Sequence, residues 1–454
     1  MSEKREMSKK RSKPKTYKKS TVRHTRAIQR DRSKRPVSAP SGEVISERLK
    51  EIVAPATVGE ASYYQQLGLR SRILTLPVMM AVVLSLILRQ HGGINELVRV
   101  IQTESILWLP PLVEISQQAL STRLRTLPSE LFLRVLTHIL PVLQSRAQSR
   151  QRPLLPEIAW VQARYTQVLA ADGSTLDALL RKVGLLGEED KAPLAGRMLA
   201  LLDLTTRLPQ RIWYESNAEA HDQRFWPTIL GALLPGSLLI FDMGFTNFTV
   251  YAQLTALGVF FITRAKSNLV YQLERSLSAT ATLHDHLIWI GSGDSRQQLR
   301  LLEVLHRGKW YRYLTNDLDT ARLPLAYAVA LYWQRWRIED AYAVIKRLLG
   351  LAYFWSGAQN AIEMQLWATW ILYAVLVDLT DEIAQELKQP FAALSIEMVY
   401  RSLYFFTQAF QRGETDNLVV YLASKAKFLG ILKRDRSDKP SILSALNLTI
   451  AQDP

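Results

Sequence analysis

Cysteine is absent from the 454 residues. That excludes disulfides, thiolate zinc sites and a cysteine nucleophile, and it suits a reducing compartment. Long apolar runs are also scarce. The longest, Leu74–Leu88 and Leu366–Val377, fall short of the roughly 20 residues a bilayer span needs. No apolar stretch closely follows the basic N-terminus, so it does not read as a signal peptide. These absences point to a soluble cytoplasmic protein with no membrane partner. Acidic residues are the minority, 41 against 57 Lys+Arg, for a net charge of +16. The imbalance is local: residues 1–35 carry 15 basic and 3 acidic residues, leaving only +4 for the other 419. A cationic block with so little apolar content is expected to be disordered. It attracts phosphate through counterion release without reading sequence, although a solubilising tail would look the same.

Composition divides the chain into a disordered basic tail and linker (1–55), a helical N-terminal domain (56–155), an α/β domain (156–350), a helical C-terminal domain (351–440) and a frayed tail (441–454). The first helical region is broken at Gly92-Gly93, Pro110-Pro111, Pro128 and Pro141. Within it, Ile115–Leu127 looks like a helix-turn-helix segment whose Arg123 and Arg125 would lie along DNA; an ordinary helical pair fits equally. The α/β domain begins with a strand, Tyr165–Ala171, ending in Asp172-Gly173-Ser174. Two further strands (Gly196–Thr206, Arg211–Glu215) and a helix (Asn217–Leu230) follow. A continuous apolar strand, Leu238–Phe241, then ends at Asp242-Met243-Gly244, and a helix (Asn247–Leu257) leads to a fifth strand, Val259–Thr263. This order predicts a mixed sheet with covered faces. Short strands at Leu287–Ile290, Leu299–His306 and Trp310–Thr315 predict a small β insertion over about 265–324.

After the insertion, Tyr332–Lys346 has neither Gly nor Pro, and its apolar residues recur at three- and four-residue steps, predicting one amphipathic helix. At about 100° per residue, Tyr332, Arg335, Glu339 and Lys346 share an arc of roughly 60°. Ile338, Ala341, Val344, Ile345, Leu348 and Leu349 take the opposite, buried side. Alone, the polar arc reads as a solvated face with an Arg335–Glu339 ion pair. Asp172 and Asp242 give it another meaning, because a carboxylate ending a buried strand is costly unless neutralised. Each could instead be an ordinary turn or cap residue. Mg²⁺ prefers such oxygen ligands, and two strand-end aspartates with Glu339 could hold a pair of ions suited to in-line phosphoryl displacement. Asp177, Asp222 and Asp340 lack the strand-then-carboxylate setting or point away from the arc.

Tyr332, Arg335, Glu339 and Lys346 fit Y-x2-R-x3-E-x6-K without a gap. With Asp172 and Asp242 ahead of them, the chain resembles a bacterial DDE transposase of the insertion-sequence-4 family over about Arg164–Trp370. The resemblance implies a ribonuclease-H-like core interrupted by the β insertion and flanked by helical domains, the N-terminal one binding DNA. It implies Mg²⁺-dependent DNA strand cleavage and strand transfer, with Mn²⁺ able to substitute. Asp172, Asp242 and Glu339 would be catalytic metal ligands; Tyr332, Arg335 and Lys346 would bind DNA phosphates. The partners implied are terminal inverted repeats and target DNA, engaged by a homodimer in a paired-end complex. Trp289 or Trp310 could accept a flipped base, with core packing the alternative for each, and Arg264 and Lys266 are further candidate DNA contacts. An inactive or domesticated DNA-binding protein, or a ribonuclease-H-like nuclease without strand transfer, would share many of these features. If the tail contacts phosphate, removing residues 1–35 lowers affinity for all DNA and flattens the dependence of binding on salt. An unchanged slope of log K against log salt in a filter-binding assay would rule that contact out.

Overall fold

The computed structural model describes residues 43–433, apart from residues 71, 90–93, 177–195, 218–220, 350 and 352–357 and the side chains of residues 43, 44 and 347. The basic tail, Asp177 and the C-terminal tail lie outside the described residues.

The first helices are α1 (Glu43–Gly59), α2 (Ala61–Gln66), α3 (Leu76–Arg89), α4 (Ile94–Thr103), α5 (Gln117–Thr126), α6 (Glu130–Ser149) and α7 (Pro156–Gln162). The linker expected to reach Pro55 is helical from Glu43, and α6 continues through Pro141. A proline inside a helix costs about 3 kcal/mol. In α6 the stripe of Leu131, Phe132, Val135, Leu136, Ile139 and Leu143 is buried, and each such side chain contributes about 1.5–3 kcal/mol, so packing overrides the break. Ser116 caps α5 by accepting the Ala119 N–H at 3.1 Å.

The strands are β1 (Val168–Thr175), β2 (Arg197–Asp203) and β3 (Pro209–Glu215), then β4 (Leu238–Phe241) and β5 (Phe260–Arg264). Short helices α8 (Trp226–Leu230) and α9 (Phe248–Ala256) lie before and after β4. Four more strands follow: β6 (Gln272–Ala279), β7 (Leu283–Ile290), β8 (Gln297–His306) and β9 (Lys309–Thr315). All described strands join one sheet, ordered β3-β2-β1-β4-β5-β9-β8-β7-β6. β4 runs parallel to β1 and β5 parallel to β4, whereas β2 and β3 are antiparallel. The first five strands, in the order 3-2-1-4-5, are a ribonuclease-H-like mixed core. β4, Leu-Leu-Ile-Phe, is buried throughout, as a parallel strand covered on both faces must be. One core, with Leu169, Leu239 and Phe261, lies on one face. The other, with Val168, Ala170, Ile240 and Ile262, lies on the opposite face.

The β segment inserted over about 265–324 holds four strands rather than the three read from the sequence, and because β9 pairs with β5 it widens the main sheet. The sequence gives no sign of β6 because its side chains are mostly exposed, which removes the apolar alternation that marks a strand. β6 also slips register against β7 between Leu273 and Arg275 and between Ser276 and Ser278. The β8–β9 hairpin turns on Arg307 and Gly308, both at positive φ (50° and 72°), as a two-residue turn of matching twist requires. One expectation needs correction, the single helix over Tyr332–Lys346. It is α10 (Leu325–Gln334), a turn at Arg335, α11 (Trp336–Ala343) and a wide helical turn at Val344–Leu348. The Arg335 N–H donates to Tyr332 O (3.2 Å) and the Ile338 N–H to Arg335 O (3.1 Å), a three-residue spacing that interrupts the α-helical ladder.

The last helices are α12 (Gln359–Glu386), α13 (Ile396–Gln411) and α14 (Leu418–Ser424). By length and composition α12 could cross a membrane, contrary to the run lengths read above, yet 94% of its most apolar window is buried inside the protein. It packs against α3, α5 and α6 on one hand and α13 and α14 on the other. The N- and C-terminal helices therefore share one layer. Its buried Asp378 and Asp381 are neutralised by arginines from the N-terminal side: Arg48 Nη1 lies 2.7 Å from Asp378, and Arg150 lies 2.6 and 3.2 Å from the two carboxylates.

Arg300 of β8 is fully buried and pairs with Asp285 of β7 at 2.5 Å, while its Nη1 also donates to the carbonyls of Asp317 and Leu323. Arg300→Met strands the Asp285 charge and is expected to lower the unfolding free energy by about 3–5 kcal/mol. Arg337→Met, which breaks the exposed pair with Asp340, should cost under about 1 kcal/mol. Urea denaturation of both variants checks the ranking, and equal losses would refute it.

Candidate active site

Ala171 of β1 and Phe241 of β4 are register partners on neighbouring parallel strands. The next residues, Asp172 and Asp242, therefore stand side by side, about 4.8 Å apart along the sheet. Both fall on the face of Ala170 and Ile240, the face covered by α10. Asp242 follows β4 directly, as expected, and caps a short turn by accepting the Gly244 N–H at 2.8 Å. Asp172 does not end its strand. β1 runs on to Thr175 because β2 keeps pairing with it as far as Arg197, with Ala200 opposite Asp172.

α11 brings the third carboxylate to the same face. The Tyr342 hydroxyl fixes it to the sheet, donating to the Asp172 carbonyl (2.6 Å) and accepting from the Ala200 N–H (3.1 Å). From the turn just before this helix Arg335 reaches both acids, 3.6 Å from Asp172 Oδ2 and 3.2 Å from Glu339 Oε1. Among the described residues the three carboxylates do not all come within 4.8 Å of one another; the guanidinium lies between Asp172 and Glu339. Lys346 is bound by the sheet too, donating to Ser174 Oγ (2.5 Å) and Thr175 O (2.7 Å). Tyr332 is buried against Tyr313, ring centroids 4.9 Å apart. The arc of four is thus not a solvated face: Tyr332 and Arg335 are buried, and the arc looks onto the sheet.

The electrostatics are strained. Burial pushes the Asp172 carboxyl up; Arg335 pulls it back; Asp242, Glu339 and Asp222 push it further, so that it reaches about 7. Burial alone would lower the Arg335 guanidinium, but Asp172, Tyr332, Asp242 and Glu339 hold it above its ordinary value. Burial raises the Tyr332 hydroxyl. The Arg335 Nε is buried without a hydrogen-bond partner among the described residues. Oxygen-only donors carrying more negative charge than one guanidinium offsets fit a hard divalent cation such as Mg²⁺.

Sequence reasoning set Asp222 aside, yet it belongs here. Arg197 grips it (Nε to Oδ1 2.8 Å, Nη2 to Oδ1 2.5 Å). A Cβ on Gly173 would meet its Oδ1 at 2.0 Å, and one on Gly244 its Oδ2 at 3.6 Å. The glycine behind each aspartate was the available signal, since Gly173 makes room for a fourth carboxylate. Trp333 and Trp336 were also missed. Both indoles are exposed, and the Arg335 guanidinium is 5.4 Å from the Trp336 ring. Asp340 turns away to pair with Arg337.

The other candidates are scattered. Trp289 and Trp310 are not core residues: Trp289 is half-buried near Arg296, and Trp310 is exposed and stacked on His284. Arg264 is half-buried, 5.6 Å from the Tyr311 ring, and Lys266 is exposed. In α5, Arg123 donates to Leu74 O at 3.0 Å and to the Tyr64 hydroxyl, so it serves the fold, whereas Arg125 is exposed.

Residues 186–375 match the family model of the transposase DDE domain. The matched stretch holds Asp242, Glu339 and the whole Y-x2-R-x3-E-x6-K signature, and it begins after Asp172. The chain is 29% identical over 172 residues to a Sinorhizobium fredii protein named "Putative transposase y4zB", covering 36% of this chain and 47% of that one. It thus spans about half the length of that relative. A solved structure of the piggyBac transposase synaptic complex with hairpin DNA aligns over 85% of this chain and 83% of its own, at 11% identity and a TM-score of 0.38.

A raised Asp172 carboxyl means that the folded state holds its proton more tightly than the unfolded one. Stability from this group is therefore greatest at low pH and is lost as pH rises from about 4 to about 7. At pH 8, Mg²⁺ is expected to raise the melting temperature of the wild-type chain. Asp172→Asn should melt higher than wild type without Mg²⁺ and lose most of the Mg²⁺ response. Calorimetry at pH 5 and pH 8 checks this, and a Mg²⁺ shift preserved in the variant would sink it.

Proposed function

We propose that this chain is a DDE transposase of the insertion-sequence-4 type, cutting DNA strands and joining the freed 3′ ends to target DNA. The observation that carries the reading is the arrangement of Asp172, Asp242 and Glu339 on one face of a ribonuclease-H-like sheet, beside Arg335 and Lys346. In this reading Asp172, Asp242 and Glu339 hold Mg²⁺, with Mn²⁺ as its substitute. When bound, such ions supply charge neutralisation at the transferring phosphoryl group and a more acidic attacking hydroxyl or water.

The chain's own residues do the rest. With the carboxylates holding cations, Arg335 would be free to turn its planar donor set to a phosphate. Lys346, held at the end of β1, offers a point charge to the next phosphate along the strand. Tyr332 packs under Arg335 and fixes its root. Trp333 and Trp336 present flat apolar surface on which unpaired bases can stack. Tyr342, through Asp172 O and Ala200 N, keeps α11 at a fixed height above the sheet. The substrates proposed are terminal inverted repeats and target DNA, bound by a homodimer, with the helical N-terminal domain as the reader of end sequence.

Glu339→Gln and Asp242→Asn are each expected to lower Mg²⁺-dependent strand cleavage by at least about 10³-fold while leaving the affinity for terminal-repeat DNA within about twofold. A gel assay with labelled ends measures both. Normal cutting by Asp242→Asn would overturn the assignment. Nicking without any joined product would leave a nuclease and remove strand transfer.

A further inference from the structure

On the opposite face of the sheet, far along the added strands, a second group of ligand-type side chains converges. His284 and His286 are two apart on β7 and so share a face. Glu303 on β8 is the register partner of His284, and Arg312 on β9 is the register partner of Glu303. Along β8, Glu303 shares its side with Leu299 and Leu301, members of the core on the face away from Asp172. We infer that His284, His286 and Glu303 form a binding site for a divalent transition ion of the Zn²⁺ class, separate from the carboxylate site.

The geometry fits. One ligand atom from each of the three lies within 4.8 Å of the others, and His284 Nδ1 is 3.0 Å from Glu303 Oε2. Zinc holds imidazole nitrogen and carboxylate oxygen at about 2.0–2.2 Å, so atoms at these separations can share one ion with small adjustments. The ligands are also braced from outside, as metal ligands commonly are. Arg312 Nε donates to the other carboxylate oxygen, Oε1, at 2.6 Å, so Oε2 is the oxygen turned to the histidines. The Trp310 indole stacks on the His284 ring at 4.6 Å and fixes its plane.

An ion pair of Glu303 with Arg312 and His284 accounts for those three side chains without a metal. It does not account for His286, whose Nδ1 is buried with no hydrogen-bond partner among the described residues. The two imidazole rings lie 5.3 Å apart, so a shared ion would engage both. Two imidazoles and a carboxylate select Zn²⁺, Fe²⁺ or Co²⁺ over Mg²⁺. Three protein ligands leave a fourth position for water, and an ion there would tie β7 to β8.

The full chain, stripped with a chelator, would be titrated with Zn²⁺ by calorimetry and with Co²⁺ by visible absorption, in saturating Mg²⁺ to fill the carboxylate site. One ion per chain is expected, with cobalt bands typical of low coordination number. His286→Ala and Glu303→Gln should each weaken Zn²⁺ binding at least about tenfold, whereas Asp172→Asn should leave it unchanged. Failure of the wild-type chain to bind Zn²⁺ in Mg²⁺ would overturn the site, as would binding untouched in both His286→Ala and Glu303→Gln. Circular dichroism shows whether a variant is folded, and the wild-type titration stands regardless of how the variants behave.

Discussion

The Arg335 guanidinium between Asp172 and Glu339 is the interaction on which the candidate active site depends. Two strands of a buried sheet end their apolar runs with acids on one face, and a helix lays a third acid over them. Such a concentration of like charge does not persist without a counter-charge. Arg335 supplies one from the turn between α10 and α11, where the helical ladder is interrupted and the side chain can point down at the sheet. Its backbone stays in the right-handed helical region, so the four-residue spacing to Glu339 is kept and one buried guanidinium answers both acids.

The same principle recurs in the helical layer. α12 is apolar enough to be stable only inside the protein, yet it carries Asp378 and Asp381, and both are answered by arginines that lie before the sheet in sequence. The match brings the two ends of the described chain onto one helix. A third instance, Arg300 with Asp285, fastens the added strands to the segment that enters α10. Buried ion pairs of this kind contribute little net stability against an apolar alternative, but breaking one is costly.

Much of this was legible in the sequence. The five core strands, in their sequence along the chain, followed from apolar runs punctuated by Gly, Pro and Asp; their order across the sheet did not. Asp242 could be read from the apolar strand before it, and Arg335 and Glu339 from their helical spacing; their roles rested on the resemblance. What failed had physical reasons. Asp172 was read as a strand end because its own run loses apolar residues there, but strand length is decided by the partner, and β2 continues. β6 lacks the alternation of a half-buried strand because both its faces are open. Asp222 has no local signature: its place is set by folding a distant turn against Gly173 and Gly244. The break at Arg335 leaves periodicity almost untouched, since its backbone stays in the right-handed helical region.

A sheet this wide raises a problem of its own at its rim. Among the described residues β6 is the outermost strand, with mostly solvent-exposed side chains and, on its outer side, no neighbouring strand in the sheet order. Such a border invites annealing to another chain's border. The two register slips against β7 bend and coil that border, so that a straight strand cannot lie along it for more than a few residues. The irregularity thereby acts as a guard, letting the sheet grow outward without becoming a template for stacking end to end.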